Sequence, residues 1–176
     1  MRDELTKRKI IRLQGYDYSS EGMYFITICS IKRLPLFGEF VGADDPVRPK
    51  DEPYIKMTEI GKIIHDCWDT VNSVYANVKT DAFCVMPNHI HGIITIESIG
   101  LSGGQGLLSG GQGRPPLHKV VQGFKSVTTR MCFDMGFQKI WQRSYHDRII
   151  RNEQEYIKIW NYINDNPKNW LQDCYY

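Results

Sequence analysis

Residues 85–96 of the chain have the sequence Val-Met-Pro-Asn-His-Ile-His-Gly-Ile-Ile-Thr-Ile, which is an extended apolar run with two histidines. Such a run predicts a β-strand, in which successive side chains point to opposite faces of the sheet. His89 and His91 would therefore share one face, while Ile90 turns into a core on the other. Two neighbouring imidazoles on a rigid strand make half of a metal site. A His-x-His pair can equally be two ordinary hydrogen-bonded or surface histidines, so the choice between these two interpretations depends on the rest of the chain.

The neighbouring segments predict more strands. Residues 78–86 predict a second strand, and Pro87-Asn88 separates it from the histidine strand, which predicts an antiparallel hairpin. Residues 23–30 are apolar on both faces and rich in β-branched and aromatic side chains, which is typical of a central strand. Residues 140–150 predict a further strand, and residues 38–53, rich in Gly, Asp and Pro, predict a loop.

Three amphipathic helices are predicted between and after these strands. Apolar residues recur at helical spacing over residues 58–72 and again after Pro116, a residue well suited to begin a helix. Asn152 and Glu155 form a capping pattern for a last helix, which Pro167 would end. The stripes consist of Ile60, Ile63, Ile64, Cys67, Trp68 and Val71, then Leu117, Val120, Val121, Phe124, Val127 and Met131, then Tyr156, Ile159, Trp160 and Ile163.

The resulting element order, βαββαβα, predicts an α+β fold. It is the pattern of a ferredoxin-like or RRM-like βαββαβ sandwich with an antiparallel sheet and an added C-terminal helix. We expect a basic N-terminal lead-in over residues 1–22, one domain over residues 23–170 and a C-terminal tail over residues 171–176. The near-repeated glycine-rich stretch within residues 98–115 predicts a flexible loop. This fold hosts many activities, so function has to come from the site.

The composition limits the classes of protein to consider. Hydrophobic residues make up 41% and charged residues 24% of the 176, as in soluble globular domains, and no apolar run could cross a membrane. No secretory signal is visible at the N-terminus, and the five cysteines form no C-x-x-C pair. We therefore expect a cytoplasmic protein with buried thiols and no membrane partner.

Positive charge is concentrated in the C-terminal half. Residues 117–151 carry seven Lys and Arg against two Asp, with aromatic residues interleaved. This favours a polyanionic partner, although a solvated basic face would have the same composition.

Tyr162 and Asn166 add a second candidate constellation. They lie four residues apart on the last helix and so share a face. Beside a two-histidine site, Asn166 could be a third ligand for a divalent metal, Mg²⁺ or Mn²⁺, and Tyr162 could attack phosphorus to form a phosphotyrosine. Nine other tyrosines are present, however, and most tyrosines are structural.

Two ordered motifs carry a resemblance to a known family. Residues 87–92, Pro-Asn-His-Ile-His-Gly, resemble the His-hydrophobe-His motif of HUH nucleases. Residues 141–153, WQRSYHDRIIRNE, together with residues 162–167, YINDNP, resemble the C-terminal half of the REP-associated tyrosine transposases. The similarity spans about residues 22 to 170. The glycine-rich repeat at residues 100–113 departs from the short connection usual in that family, and Asn166 stands where related insertion-sequence enzymes tend to have Gln.

The resemblance implies a metal-dependent enzyme that cleaves and joins single-stranded or hairpin DNA through a 5′-phosphotyrosine. It implies Tyr162 as the catalytic nucleophile and His89, His91 and Asn166 as metal ligands. No base that activates Tyr162 is identifiable, and both the oligomeric state and the chain that donates the tyrosine stay open. The alternatives are a non-catalytic hairpin-binding module on the same fold and a hydrolase of small phosphodiesters. Candidate DNA contacts are Lys125, Arg143, Tyr145 and Arg148, while Trp141 and His146 could stack on bases but Trp141 fits a core position better.

Overall fold

The computed structural model describes residues 16–18, 20–42, 52–97 and 116–173. Six strands, β1 to β6 in chain order, span Gly22–Cys29, Gly38–Val41, Tyr54–Met57, Val78–Val85, His89–Ile96 and His146–Ile150. Three α-helices, α1 to α3, span Glu59–Val74, Leu117–Met131 and Glu153–Asp165. No helix in these ranges combines the length and hydropathy needed to cross a membrane.

Four strands form one antiparallel sheet in the order β4-β5-β1-β6. Strands β1 and β5 are central, which agrees with their apolar content on both faces. The predicted α+β fold, with its antiparallel sheet and added C-terminal helix, is confirmed. The predicted hairpin is present as β4 and β5, where the Met86 amide donates to the His89 carbonyl at 2.9 Å.

The sheet separates two apolar clusters. On one face, α1 and α2 pack their stripes onto Ile26, Ile90 and Ile94. On the other face, Ile159 and Ile163 of α3 pack in a smaller cluster of buried side chains from β4, β5 and β6. Strand β5 therefore buries alternate side chains in different layers, as its period of two requires.

Two sequence-based expectations about the strands are wrong. Within the predicted loop 38–53, residues 38–41 form β2, which pairs with β3 in a separate two-stranded sheet, while residues 43–51 lie outside the described ranges. The predicted strand 140–150 is regular only from His146 onwards, and before that it makes a single bridge between Trp141 and Ser30. Ile140 and Trp141 are both buried, but apart from that bridge they lie outside the ladder between β1 and β6.

The other unmatched predictions fall on parts of the chain that are not described. The glycine-rich segment 98–115 and most of the basic lead-in, residues 1–15, lie outside the described ranges. Four of the five cysteines are within them, and all four, Cys29, Cys67, Cys84 and Cys132, are free and buried.

Candidate metal and tyrosine centre

The two histidines of β5 meet on the face of the sheet that carries α3. His89 and His91 are both buried, and their Nε2 atoms are 3.0 Å apart. Their cross-strand neighbours are fixed by register: Cys29 and Thr27 of β1 lie opposite them. Ile90, between them, is in the core on the opposite face. The strand periodicity therefore brings the two imidazoles together as predicted.

Each imidazole is oriented by a hydrogen bond at its other nitrogen. His89 Nδ1 lies 2.8 Å from Asn88 Oδ1, and His91 Nδ1 lies 2.8 Å from Thr27 Oγ1. An amide oxygen can only accept, so His89 carries its proton on Nδ1 and presents the Nε2 lone pair towards His91. Such a second hydrogen bond is what fixes the orientation of metal-binding histidines.

Burial also keeps both rings in the neutral form that binds metals. Desolvation, with a smaller contribution from the neighbouring His91, lowers the pKa of His89 to about 3. Desolvation likewise lowers the pKa of His91, against the opposing influence of Asp173. Both side chains are therefore neutral near pH 7 and need no deprotonation before they bind a cation.

Asp173 joins the two histidines, although no motif in the sequence indicates this role. Its Oδ2 lies 3.9 Å from the Nε2 of each histidine, and its side chain is buried. The three residues form a group whose ligand atoms all lie within 4.8 Å of one another. A short 3₁₀ turn, Trp170–Gln172, brings the chain back to the site, and buried Trp170 packs with its ring centroid 5.9 Å from that of His89.

Tyr162 of α3 lies at the edge of this cluster. Its hydroxyl is 3.3 Å from His91 Nε2 and donates to Asp173 Oδ2 at 3.3 Å. The ring lies edge-on to Phe25, yet 42% of the residue is exposed, so the hydroxyl can meet a substrate.

Helix α3 is positioned by hydrogen bonds at its N-terminus and by one hydrogen bond to the sheet. Asn152 Oδ1 accepts from the Glu155 amide at 2.9 Å, which is the predicted N-cap. The Glu155 carboxylate accepts from the Arg151 amide, one residue before the position that a capping box would use. Tyr156 donates from its hydroxyl to the Asp81 carboxylate of β4, and this bond fixes the helix against the sheet.

Asn166 reaches the same cluster from the end of α3. Its Nδ2 donates to Asp173 Oδ2 at 2.9 Å, while its buried Oδ1 has no hydrogen-bond partner in the described part of the chain. A buried amide oxygen without a partner is costly unless something binds it. The role of Asn166 as a metal ligand stays a prediction, and the structure places this residue against Asp173.

A depression in the surface gives access to the cluster. It has a volume of about 400 Å³ and is lined by Lys158, Asn161, Tyr162, Asn166, Asn169 and Asp173, among others. Its lining is polar and rich in amides, and it includes the tyrosine and the carboxylate.

The predicted DNA contacts lie away from the depression. Lys125 is half-buried, and its ammonium donates to the carbonyl oxygens of Gln142 and Arg143 at 2.5 and 3.2 Å. Arg143 itself is exposed, and Tyr145 packs against the larger apolar cluster. Arg148 on β6 forms an exposed ion pair with Glu155 at 2.5 Å.

The two candidates for base stacking differ in burial. Trp141 is a core residue, as expected, and donates from Nε1 to Thr128 Oγ1 at 2.8 Å. His146 is exposed at the start of β6.

Comparison with known proteins places the chain in a family and a fold. No family model matches it. An uncharacterized protein of Haemophilus influenzae is 33% identical over 177 residues, covering 96% of this chain and 93% of that protein, and the chain belongs to the same family.

The solved structures show the fold. A REP-associated tyrosine transposase bound to a REP hairpin superposes with a TM-score of 0.57 at 19% identity, covering 89% of this chain and 72% of the other. This shared fold agrees with the fold that the resemblance implies. A transposase candidate from Deinococcus radiodurans r1 superposes with a TM-score of 0.45 at 15% identity, and at that distance it adds nothing further.

Proposed function

We propose that this chain, which shares the fold of a REP-associated tyrosine transposase, is a metal-dependent enzyme that nicks and joins single-stranded DNA through Tyr162. The observation that carries the proposal is the position of the Tyr162 hydroxyl, 3.3 Å from both His91 Nε2 and Asp173 Oδ2. A nucleophile beside a cluster of three potential metal ligands is the arrangement that phosphoryl transfer needs.

The residues of the cluster fit a divalent cation. Two nitrogen ligands about 2.1 Å from one ion lie about 3.0 Å apart when they subtend about 90°, whereas a tetrahedral angle would separate them by about 3.4 Å. The Nε2 atoms of His89 and His91 are 3.0 Å apart, close enough for both to bind one ion, and the mixture of nitrogen and oxygen donors is the basis for proposing Mg²⁺ or Mn²⁺. The unpartnered Oδ1 of Asn166 is a further oxygen donor beside Asp173.

His89, His91 and Asp173 would hold the ion, with Asn166 as an additional ligand. When bound, such an ion neutralises phosphate charge and makes phosphorus easier to attack. Asn88 and Thr27 keep both imidazoles in the required orientation through their Nδ1 atoms.

Tyr162 supplies the covalent chemistry. Its oxygen forms a bond to phosphorus while the bond from phosphorus to the 3′ oxygen breaks, which leaves a 5′-phosphotyrosine and a free 3′ hydroxyl. Asp173 Oδ2 already accepts the hydrogen bond of this phenol and can take its proton, which then passes through water to the departing 3′ oxygen. In joining, a 3′ hydroxyl attacks the same phosphorus and Tyr162 leaves.

The substrate proposed is single-stranded DNA that carries a hairpin. The likeness to a transposase bound to a REP hairpin supports this class of substrate. The depression beside Tyr162 is open to solvent along α3, so an unpaired strand can bring its phosphate to the hydroxyl.

The test is a covalent-adduct assay with labelled hairpin-bearing single strands in the presence of Mn²⁺. We expect the wild-type protein to form an adduct that survives denaturing electrophoresis, and Tyr162→Phe to form none while still binding DNA. Tyr75→Phe is the control, because this tyrosine follows α1 and packs in the apolar cluster on the other face of the sheet, and it should keep the adduct.

Two results would contradict the proposal. Cleavage by Tyr162→Phe at the wild-type rate would exclude this tyrosine as the nucleophile. Binding of hairpins by wild type with neither cleavage nor adduct, at any Mn²⁺ or Mg²⁺ concentration, would instead support the non-catalytic binding module.

A further inference from the structure

A basic groove lies on the layer of the sheet opposite the tyrosine centre. It has a volume of about 530 Å³ and runs between α2 and residues 139–143. Its lining includes the cationic side chains of Lys125, Arg130, Lys139 and Arg143 and the ring of Phe133, and it includes no acidic residue. The catalytic proposal uses none of these residues.

The walls of the groove are held in place by specific bonds. Gly136 has a φ of +85°, a left-handed conformation that glycine adopts without strain, and there the chain turns back after α2. Lys125 then binds the carbonyl oxygens of Gln142 and Arg143. The returning segment is thus fixed against the helix, so the groove is formed before any ligand arrives.

Lys125 is a positioning residue in this arrangement. Burial lowers the pKa of its ammonium, and nearby Lys139 lowers it further. Its donors are directed at backbone carbonyls, so the charges available to a ligand are those of Arg130, Lys139 and Arg143. All three are exposed, and none forms an ion pair with an acidic group of the described chain.

An exposed aromatic ring lies among these charges. Phe133 is 60% exposed at the end of α2, although a ring of this size is usually buried. Proteins that bind single strands without sequence preference use two elements. One is a set of cations along the path of the nucleic-acid backbone, and the other is an aromatic ring on which a base can stack. A duplex would use the cations but would leave its bases paired and out of reach of the ring.

We propose that this groove binds a single-stranded segment of the DNA substrate, with its phosphates on Lys139, Arg143 and Arg130 and a base stacked on Phe133. The choice of DNA rests on the proposed function, whereas the preference for an unpaired polyanionic strand rests on the groove itself. The groove wall adjoins the end of β1 that faces His89: the Gln142 amide donates to the Cys29 carbonyl at 2.9 Å, and Cys29 pairs with His89. A strand that leaves the tyrosine centre around this end of the sheet would reach the groove.

The test measures binding without metal and without cleavage. Fluorescence anisotropy with a labelled oligodeoxythymidylate of about 16 nucleotides, over a series of salt concentrations, reports affinity and the number of phosphate contacts. We expect the double variant Lys139→Ala/Arg143→Ala to bind more weakly and to reduce the slope of log K against log salt by about 1.4, since each single-strand phosphate contact contributes about 0.7. Phe133→Ala should weaken binding on the order of tenfold with an unchanged slope.

The control is Lys119→Ala, an exposed lysine on α2 outside the groove, which should keep the wild-type slope. A loss of about 0.7 in the slope of this single variant, as large per residue as in the double variant, would overturn the proposal in favour of diffuse surface charge. Wild-type affinity in the double variant would overturn it as well, as would equal binding of a duplex together with no effect of Phe133→Ala. Thermal unfolding of each variant checks that the fold is intact.

The experiments distinguish failure of the groove proposal from failure of the proposed catalytic function. If the tyrosine adduct forms and the groove variants bind DNA like wild type, only the groove assignment is wrong. If the groove variants lose binding but wild-type protein never forms an adduct, the groove assignment stands and the catalytic one is wrong.

Discussion

Acid should destabilise the metal-free protein through the buried histidines. The folded protein keeps His89 neutral until about pH 3, whereas the unfolded chain takes up this proton near the ordinary histidine pKa of about 6.5. Between these values the unfolded state binds more protons than the folded state, so the free energy of unfolding falls as pH falls. Above about pH 6.5 both states are neutral at this position and the effect vanishes.

The expected loss in the free energy of unfolding follows from the pH range between the folded and unfolded pKa values of His89. Each pH unit below about 6.5 removes about 1.4 kcal/mol for one excluded proton, so His89 alone accounts for about 2.7 kcal/mol at about pH 4.5. This is a substantial part of the roughly 5–15 kcal/mol that stabilises a typical domain. His91, whose pKa is lowered as well, acts in the same direction.

Urea unfolding in a chelating buffer, between about pH 7 and about pH 4.5, measures the effect. His89→Asn should show a shallower decline than wild type, by about 1.4 kcal/mol per pH unit, because carboxylates common to both proteins cancel in the difference. His65→Asn, a change at an exposed histidine of α1, should keep the wild-type decline. Parallel declines for wild type and His89→Asn would refute the conclusion that His89 is held neutral.

Two further predictions concern the ligand set and the strand that carries it. Asp173→Asn should lower Mn²⁺ affinity by at least about 10- to 100-fold in calorimetric titration, and unchanged affinity would remove Asp173 from the ligands. Gly92→Ala should destabilise the fold by about 1–3 kcal/mol in urea unfolding, because a Cβ there would lie 2.6 Å from the buried Trp68 ring. Unaltered stability would mean that the ring shifts without cost.

The sequence predicts those features that depend on local spacing. The period of two in residues 89–96 is sufficient to bring His89 and His91 onto one face, and the helical spacing of Tyr162 and Asn166 puts both on the side of α3 that meets this face. The predicted stripe of α1 is largely buried, because burial of one face is what stabilises such helices. In α2 and α3 the prediction is wrong for Val127, Met131 and Trp160, which are exposed.

Features that depend on long-range packing could not be predicted. Asp173 lies in a polar segment after Pro167 with no motif around it, and only the packing of Trp170 against His89 brings it to the site. Lys125 looked like a surface cation, yet its partners are backbone carbonyls 17 and 18 residues away, which no local pattern indicates. The start of strand β6 at His146 likewise depends on long-range packing, because Ile140 and Trp141 before it are held in the core.

The side chains on one face of β5 stabilise the fold, whereas those on the other face form the candidate site. Ile90 and Ile94 are fully or almost fully buried under α1 and α2, so truncating either would remove well-packed apolar contacts. His89 and His91 are just as buried, but a buried polar ring is tolerable only because Asn88 and Thr27 satisfy one nitrogen of each. Their remaining nitrogens face each other and lie near Asp173, which is the arrangement needed to bind a cation. The larger apolar cluster across the sheet therefore supports a strand on which two histidines are kept neutral and oriented to bind a cation.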